Sequence, residues 1–151
     1  MTSHVTVIDL NPAYLRRLGE QFPNPGFALD VRCADLADAA LERQAFDVVH
    51  AALVLEYIDW SALLPRVAST LKPRGVLSVV LQLPSATSPA VTPSPYGSLQ
   101  ALEALFHFVE PEALIEAARG EGLTLSSRRT EPLQAGKAFE VLRFAKSPVA
   151  R

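Results

Sequence analysis

Between Phe46 and Asp59 the chain reads Phe-Asp-Val-Val-His-Ala-Ala-Leu-Val-Leu-Glu-Tyr-Ile-Asp, and few folds can accommodate such a stretch. It opens as a short β-branched run and turns at the small residues Ala51 and Ala52. It then closes on apolar residues at helix-like spacing, with Glu56 among them. Apolar residues that run on without alternating predict a strand hidden on both faces, which requires a parallel sheet covered by helices.

The rest of the chain supplies the units for such a sheet. Val5-Thr6-Val7-Ile8 is a β-branched run ending at Asp9. Asn11-Pro12 then predicts a helix start, with Asn11 as N-cap and Pro12 in the first helical position. Tyr14, Leu15, Leu18 and Phe22 form one apolar helical face, and Pro23-Asn24-Pro25-Gly26 ends it. Phe27 to Cys33 is a second strand, closed by Ala34-Asp35-Leu36, and a short helical piece from Ala37 to Arg43 leads into the Phe46 strand. Ser61 is the expected cap of a helix through Leu63, Leu64, Val67, Ala68 and Leu71. Lys72-Pro73-Arg74-Gly75 is a turn before the strand Val76–Leu81. Only glycine visits positive φ cheaply, so Arg74 predicts a type I turn over type II.

Pro84 to Gly97 carries Pro84, Pro89, Pro93 and Pro95 among Ser, Thr and Ala, so 84–97 is expected to be a lid-like loop. A helix is expected from about Ser98 to His107 and another from near Pro111 to Gly120-Glu121-Gly122. Leu123–Arg129 and Lys137–Ala145, joined by a short connection, predict an antiparallel hairpin. Strand, helix, strand and a closing hairpin indicate an open α/β sheet, and no repeat or linker divides residues 1–151.

Composition narrows the function. At 151 residues the chain is one domain's worth, and net charge is -2. With no basic block longer than Arg128-Arg129, a nucleic-acid or membrane-surface role has no electrostatic support. Cys33 is the single cysteine; it excludes an internal disulfide and is expected as a small core residue. The three histidines show no metal-ligand spacing. No apolar run approaches about 18 residues, so the chain is expected in the cytoplasm without a membrane span.

In an open α/β sheet, ligands bind beyond the carboxyl ends of the strands, and Asp9 and Asp35 stand at two of them. A carboxylate there can take both hydroxyls of a ribose. Asp9 can equally satisfy the helix beginning at Pro12, and Asp35 can be an ordinary turn aspartate. Tyr96 and His107 border the proline-rich loop and could face a substrate. His107 also stands between Phe106 and Phe108, where it would be a core histidine, and His50 is expected to be packed within its strand.

Phe-Asp-x-Val from Phe46 followed by Val54-Leu55-Glu56-Tyr57-Ile58 resembles the fourth strand and following turn of class I S-adenosylmethionine-dependent methyltransferases, of the small-molecule, methyltransferase type 11-like kind. The resemblance implies a Rossmann-like open, mostly parallel sheet with helices on both faces and the C-terminal antiparallel hairpin. It implies S-adenosylmethionine as cofactor and a small-molecule acceptor. Asp9, with Leu10 beside it, would hold the adenosyl ribose. Asp35 would accept from the adenine amino group while the Leu36 amide meets a ring nitrogen, and Ala51 and Ala52 would complete the cofactor set. Glu56 matches an acid that braces the following loop in many members. No residue is named as the general base, and methyl transfer, an in-line displacement, can rest largely on positioning.

The chain departs from the family at its front. None of its seven glycines precedes Gly19, whereas the family begins with a strand and a glycine-rich loop that lets backbone amides approach the cofactor. The expectation is therefore a single N-terminally incomplete domain over 1–151 that lacks the family's first strand and binds the cofactor weakly or not at all. The Val5 strand would either pair directly with the Val48 strand or recruit another chain, a second copy or a partner. Two other readings stand beside this one: a catalytically dead partner or scaffold module, and a doubly wound domain binding another nucleotide.

Overall fold

The computed structural model describes residues 2–91, 103–133 and 136–148. They fall into two compact units, Met1–Ala40 and Leu41–Arg151, and the strands form two sheets.

The first unit holds β1 (His4–Asp9), α1 (Pro12–Gln21) and β2 (Ala28–Cys33). β1 and β2 pair in parallel, in register from His4 opposite Ala28 to Asp9 opposite Cys33. The predicted start of α1 is seen: the Asn11 side chain accepts the Ala13 N–H at 2.9 Å and Pro12 opens the helix. Of the predicted apolar face only Leu15 is buried, while Tyr14 and Phe22 are each 45% exposed. The helix expected over Ala37–Arg43 does not form. A turn at residues 36–38 stands there, made when the Asp35 carbonyl accepts the Asp38 and Ala39 N–H groups. One turn without a further cap does not propagate.

The second unit holds β3 (Phe46–Ala52), α2 (Trp60–Thr70), β4 (Leu71–Gln82), α3 (Pro111–Gly120), β5 (Leu123–Pro132) and β6 (Ala138–Lys146). Its sheet runs β3-β4-β6-β5, with β3 and β4 parallel and the two ladders of β6 antiparallel. The predicted C-terminal hairpin is present, and its second strand lies between β4 and β5. β4 alternates along its length, and Leu77, Val79 and Leu81 are almost wholly buried. So are Leu142 and Phe144 of β6, Leu63, Leu64 and Ala68 of α2, and Leu114 and Ala118 of α3. Arg128 ties the hairpin to α3, donating to Glu140 at 2.9 Å and Glu112 at 2.8 Å. Both partners raise the guanidinium pKa, and Arg128 in turn holds the Glu112 carboxyl below its ordinary value.

Several local expectations are corrected. α2 is capped by Asp59 rather than Ser61: its carboxylate accepts the Ser61 and Ala62 N–H groups at 3.1 and 3.2 Å and the Ser61 hydroxyl at 2.6 Å. Arg74 adopts φ +65, the value a type II turn requires at this position, so the predicted type I turn is not formed. The glycine beside it explains why. A Cβ on Gly75 would lie 2.9 Å from the Lys72 carbonyl oxygen and 3.2 Å from that of Asp47, so the turn is tight and the strain falls on Arg74.

β3 is not hidden on both faces. Asp47, His50 and Ala52 are exposed and Val48 is 60% exposed. Its one ladder is with β4, so it is the edge of its sheet, as β1 is an edge of the other. The direct pairing of the Val5 and Val48 strands is therefore not among the ladders. Cys33 is likewise exposed at the end of β2, not a core residue. Within the lid-like loop, residues 84–91 are irregular and Ala90 is tied down, its carbonyl accepting from Gln82 Nε2 at 2.6 Å and Lys137 Nζ at 3.2 Å. The remainder, with Tyr96 and the start of the helix expected from Ser98, lies outside the described residues. What is described of that helix is a single 3₁₀ turn, Glu103–Leu105.

Candidate functional site

Parallel pairing of β1 and β2 brings two of the predicted acids to the same end of one sheet. Asp9 is the last residue of β1 and lies opposite Cys33, the last of β2; Asp35 follows two residues later. Each is locked by a short local bond. Asp9 Oδ1 accepts the Asn11 N–H at 2.7 Å, and Asp35 Oδ1 accepts the Ala37 N–H at 2.8 Å. The Asp9 carbonyl accepts the Ala34 N–H at 3.2 Å, fastening the two strand ends together. The Cys33 thiol donates weakly to the Leu10 carbonyl at 3.7 Å, and the Leu10 side chain stands 68% exposed.

These contacts serve the readings of Asp9 and Asp35 as turn-makers, and they leave capacity for a ligand. Each carboxylate oxygen has two lone pairs, and neither Oδ2 has a partner among the described residues. The acceptor set fits the hydroxyls of a ribose and the amino group of an adenine, which need acceptors held in fixed positions. The structure thus brings Asp9, Leu10, Asp35 and Leu36 to one sheet end. An open depression of about 250 Å³ in the same unit is lined by Pro12, Leu15, Arg16, Val31 and Cys33, and none of those four site residues lines it.

Ala51 and Ala52 lie in the second unit, at the carboxyl end of β3. The chain there turns at Leu53, which takes φ +54 while its N–H reaches the Val80 carbonyl at 3.0 Å. A non-glycine residue in this region is strained by roughly 1–3 kcal/mol, and such strain clusters at functional sites. A 3₁₀ turn, Leu55–Tyr57, follows. Within it Glu56 is fully buried and accepts the Gln82 N–H at 2.7 Å. Burial pushes its carboxyl above the ordinary value. Burial also raises the Tyr57 phenol, with Glu56 adding to the shift.

Beside this turn the rings of Tyr57, Phe106 and Phe108 pack edge to face, with centroids 5.5 and 4.9 Å apart. His107 is exposed among them, so the core reading of that histidine is not what is seen. This aromatic group and the backbone turn at Leu53 were missed from sequence. Three aromatics 49 or more residues apart in part share no local signal, and a leucine does not advertise positive φ. Among the described residues no group of three His, Cys, Asp or Glu side chains could hold a metal ion, and no helix is long and apolar enough to cross a membrane.

Known structures share the fold. An S-adenosylmethionine-dependent methyltransferase from Mesorhizobium loti superposes with a TM-score of 0.73 at 19% identity, over 95% of this chain and 81% of the other. The N-methyltransferase NodS from Bradyrhizobium japonicum, solved with S-adenosyl-L-homocysteine, gives 0.68 at 20% identity over 95% and 66%. A 1,6-didemethyltoxoflavin-N1-methyltransferase from Burkholderia thailandensis, with bound 1,6-didemethyltoxoflavin and S-adenosylhomocysteine, gives 0.70 at 16% over 95% and 61%. No curated protein matches the chain. The sequence pattern of the methyltransferase domain matches residues 1–79, a stretch that contains β1, β2, β3 and most of β4. The fold and that match agree: this protein belongs to the methyltransferase domain family, among the class I S-adenosylmethionine-dependent methyltransferases.

Proposed function

We propose that this protein binds S-adenosylmethionine through Asp9, Leu10, Asp35 and Leu36 and transfers its methyl group to a small-molecule acceptor. The observation that carries the reading is the pair of strand-end carboxylates, each fixed by a backbone N–H and each retaining acceptor capacity. Asp9 takes the ribose hydroxyls. Asp35 accepts from the adenine amino group, with the Leu36 amide toward the ring. Ala51 and Ala52, small residues at the end of β3, keep the part that the family resemblance gives them. The cofactor supplies a methyl sulfonium. When bound it would give that methyl to the acceptor atom and remain as the neutral thioether, with the acceptor's proton passing to water. The role of this chain's residues is to bind and orient, the main requirement of an in-line displacement. A small acceptor is supported by the toxoflavin precursor held by one structural relative.

Residues 1–151 are read as one methyltransferase-like domain, supported by a family match that runs through the Ala40–Leu41 boundary. In the same reading the open edges of β1 and β3 would pair with a further strand, from a second copy or another chain; light scattering that shows only monomer at high concentration would remove the second copy.

Calorimetric titration with S-adenosylmethionine and S-adenosylhomocysteine tests the cofactor site. A hydrogen bond to a charged group is worth roughly 1.5–3 kcal/mol, so Asp9→Ala should weaken binding about ten- to a hundredfold. Unchanged affinity in that variant would remove the ribose assignment.

A further inference from the structure

Among the described residues Glu56 Oε2 is the buried side-chain oxygen without a hydrogen-bond partner. Its other oxygen accepts the Gln82 N–H at 2.7 Å, at the carboxyl end of β4. Its main-chain carbonyl accepts the His107 N–H at 2.9 Å. One residue therefore joins three pieces of the second unit: the turn after β3, the end of β4 and the segment carrying Phe106 and Phe108.

We propose that Glu56 is a proton-operated latch: its side chain fastens the turn after β3 to the end of β4, its carbonyl holds the aromatic segment 105–108, and protonation of the carboxyl sets how firmly that segment is held. An ionised carboxylate at this place is desolvated and has one strong donor, so half of its charge is unsatisfied. The neutral acid keeps Oε1 as acceptor for Gln82, and although its Oε2–H then lacks an acceptor, burying it costs less than burying the ion. Burial favours the neutral form, and the Gln82 bond, the residue's own backbone N–H and His107 oppose it more weakly.

The titratable groups around the carboxyl are Tyr57 on the same turn and His107 on the aromatic segment, the latter also interacting with Asp59; β4 presents the neutral Gln82 amide. Loss of the proton favours opening toward water. The opening strains the turn that the Tyr57 ring shares with Phe106 and the carbonyl bond to His107. The segment so released carries Leu105, 59% exposed, and Phe108, 38% exposed.

Residue-resolved hydrogen exchange on the intact protein, corrected for the intrinsic rate at each pH, reads the latch at the Gln82 and His107 amides. The wild type should lose on the order of tenfold protection as pH rises through the Glu56 titration, above the ordinary 4.5. Glu56→Gln should hold high protection at every pH, and His107→Ala should keep the pH dependence. A Gln variant with the wild-type fall, a flat wild type, or a dependence abolished by His107→Ala would each overturn the proposal. Should Glu56→Gln not fold, carboxyl carbon shifts of the wild type decide it. Titration of Glu56 together with the His107 amide supports the latch, and independent titration removes it. No cofactor or acceptor enters these measurements, so their failure leaves the methyl-transfer reading standing.

Discussion

The two units of this protein are built from the same kinds of element and stabilised very differently. In the second, Leu77, Val79 and Leu81 of β4, Leu142 and Phe144 of β6, Leu63 and Ala68 of α2 and Leu114 and Ala118 of α3 are all at or near zero exposure. In the first, Leu15 and Ala39 alone reach core-level burial among the described residues, while Leu10, Tyr14, Phe22 and Val31 stay exposed. A two-stranded parallel sheet with one helix has too little area to bury. The first unit nevertheless carries the acids of the proposed cofactor site. The first unit is thus held by local devices, the Asn11 cap and the Asp9 and Asp35 turns, and the second by packing.

The strand edges divide along another line. β5 is guarded by Arg128, Arg129, Glu131 and Pro132 and by an irregular register between Leu125 and Ser127. β2 carries the Asp30–Arg32 ion pair at 2.7 Å. Charge, proline and bulges are how exposed edges resist pairing. β3 carries the Asp47–Lys72 ion pair at 2.7 Å and an irregular register between Phe46 and Val48, whereas β1 has little of this along Val5-Thr6-Val7-Ile8.

The largest expected effect tests the contrast in packing. Phe144→Ala should lose about 3–5 kcal/mol in urea unfolding, whereas Leu15→Ala should fall at the low end of the leucine range, roughly 2 kcal/mol. Equal losses would mean that the two units are stabilised alike. Gly75→Ala comes next: its Cβ has no room against the Lys72 and Asp47 carbonyls, and a loss of roughly 1–3 kcal/mol is expected, as in overpacked sites. Circular dichroism and denaturant midpoints would read it.

The third prediction is of sign. Glu56 has a folded-state pKa above the ordinary 4.5, so the folded protein holds this proton more tightly than the unfolded chain. Its contribution is full below 4.5 and is lost as pH rises through the folded value. Melting temperature should therefore decline over that window in the wild type, and Glu56→Gln should remove this part of the decline. An identical profile in the variant would place the pH dependence elsewhere. The smallest effect is Arg74→Gly, which relieves φ +65 but loosens the unfolded chain; a net gain below about 1 kcal/mol is expected. A loss would show that the Arg74 side chain contributes more than its backbone strain.

Much of this was legible because it rests on neighbours in sequence. The Asn11-Pro12 start, the Gly120-Glu121-Gly122 stop, the hairpin and the strand-end positions of Asp9 and Asp35 depend on capping, φ preference and β-branching, which act within a few residues. The fold class followed from apolar patterning, and the family from the Phe46–Ile58 pattern. Tertiary structure decided the rest. Burial of β3 and Cys33 depends on what lies across the sheet, so apolar runs misjudged both. Arg74 accepts positive φ because Gly75 must approach two carbonyls, one of them on another strand. The partnering of Glu56 with Gln82 and His107, 26 and 51 positions away, and the gathering of Tyr57 with Phe106, arise only when the chain folds back on itself. No local preference encodes such contacts, since their free energy comes from burial shared between distant segments.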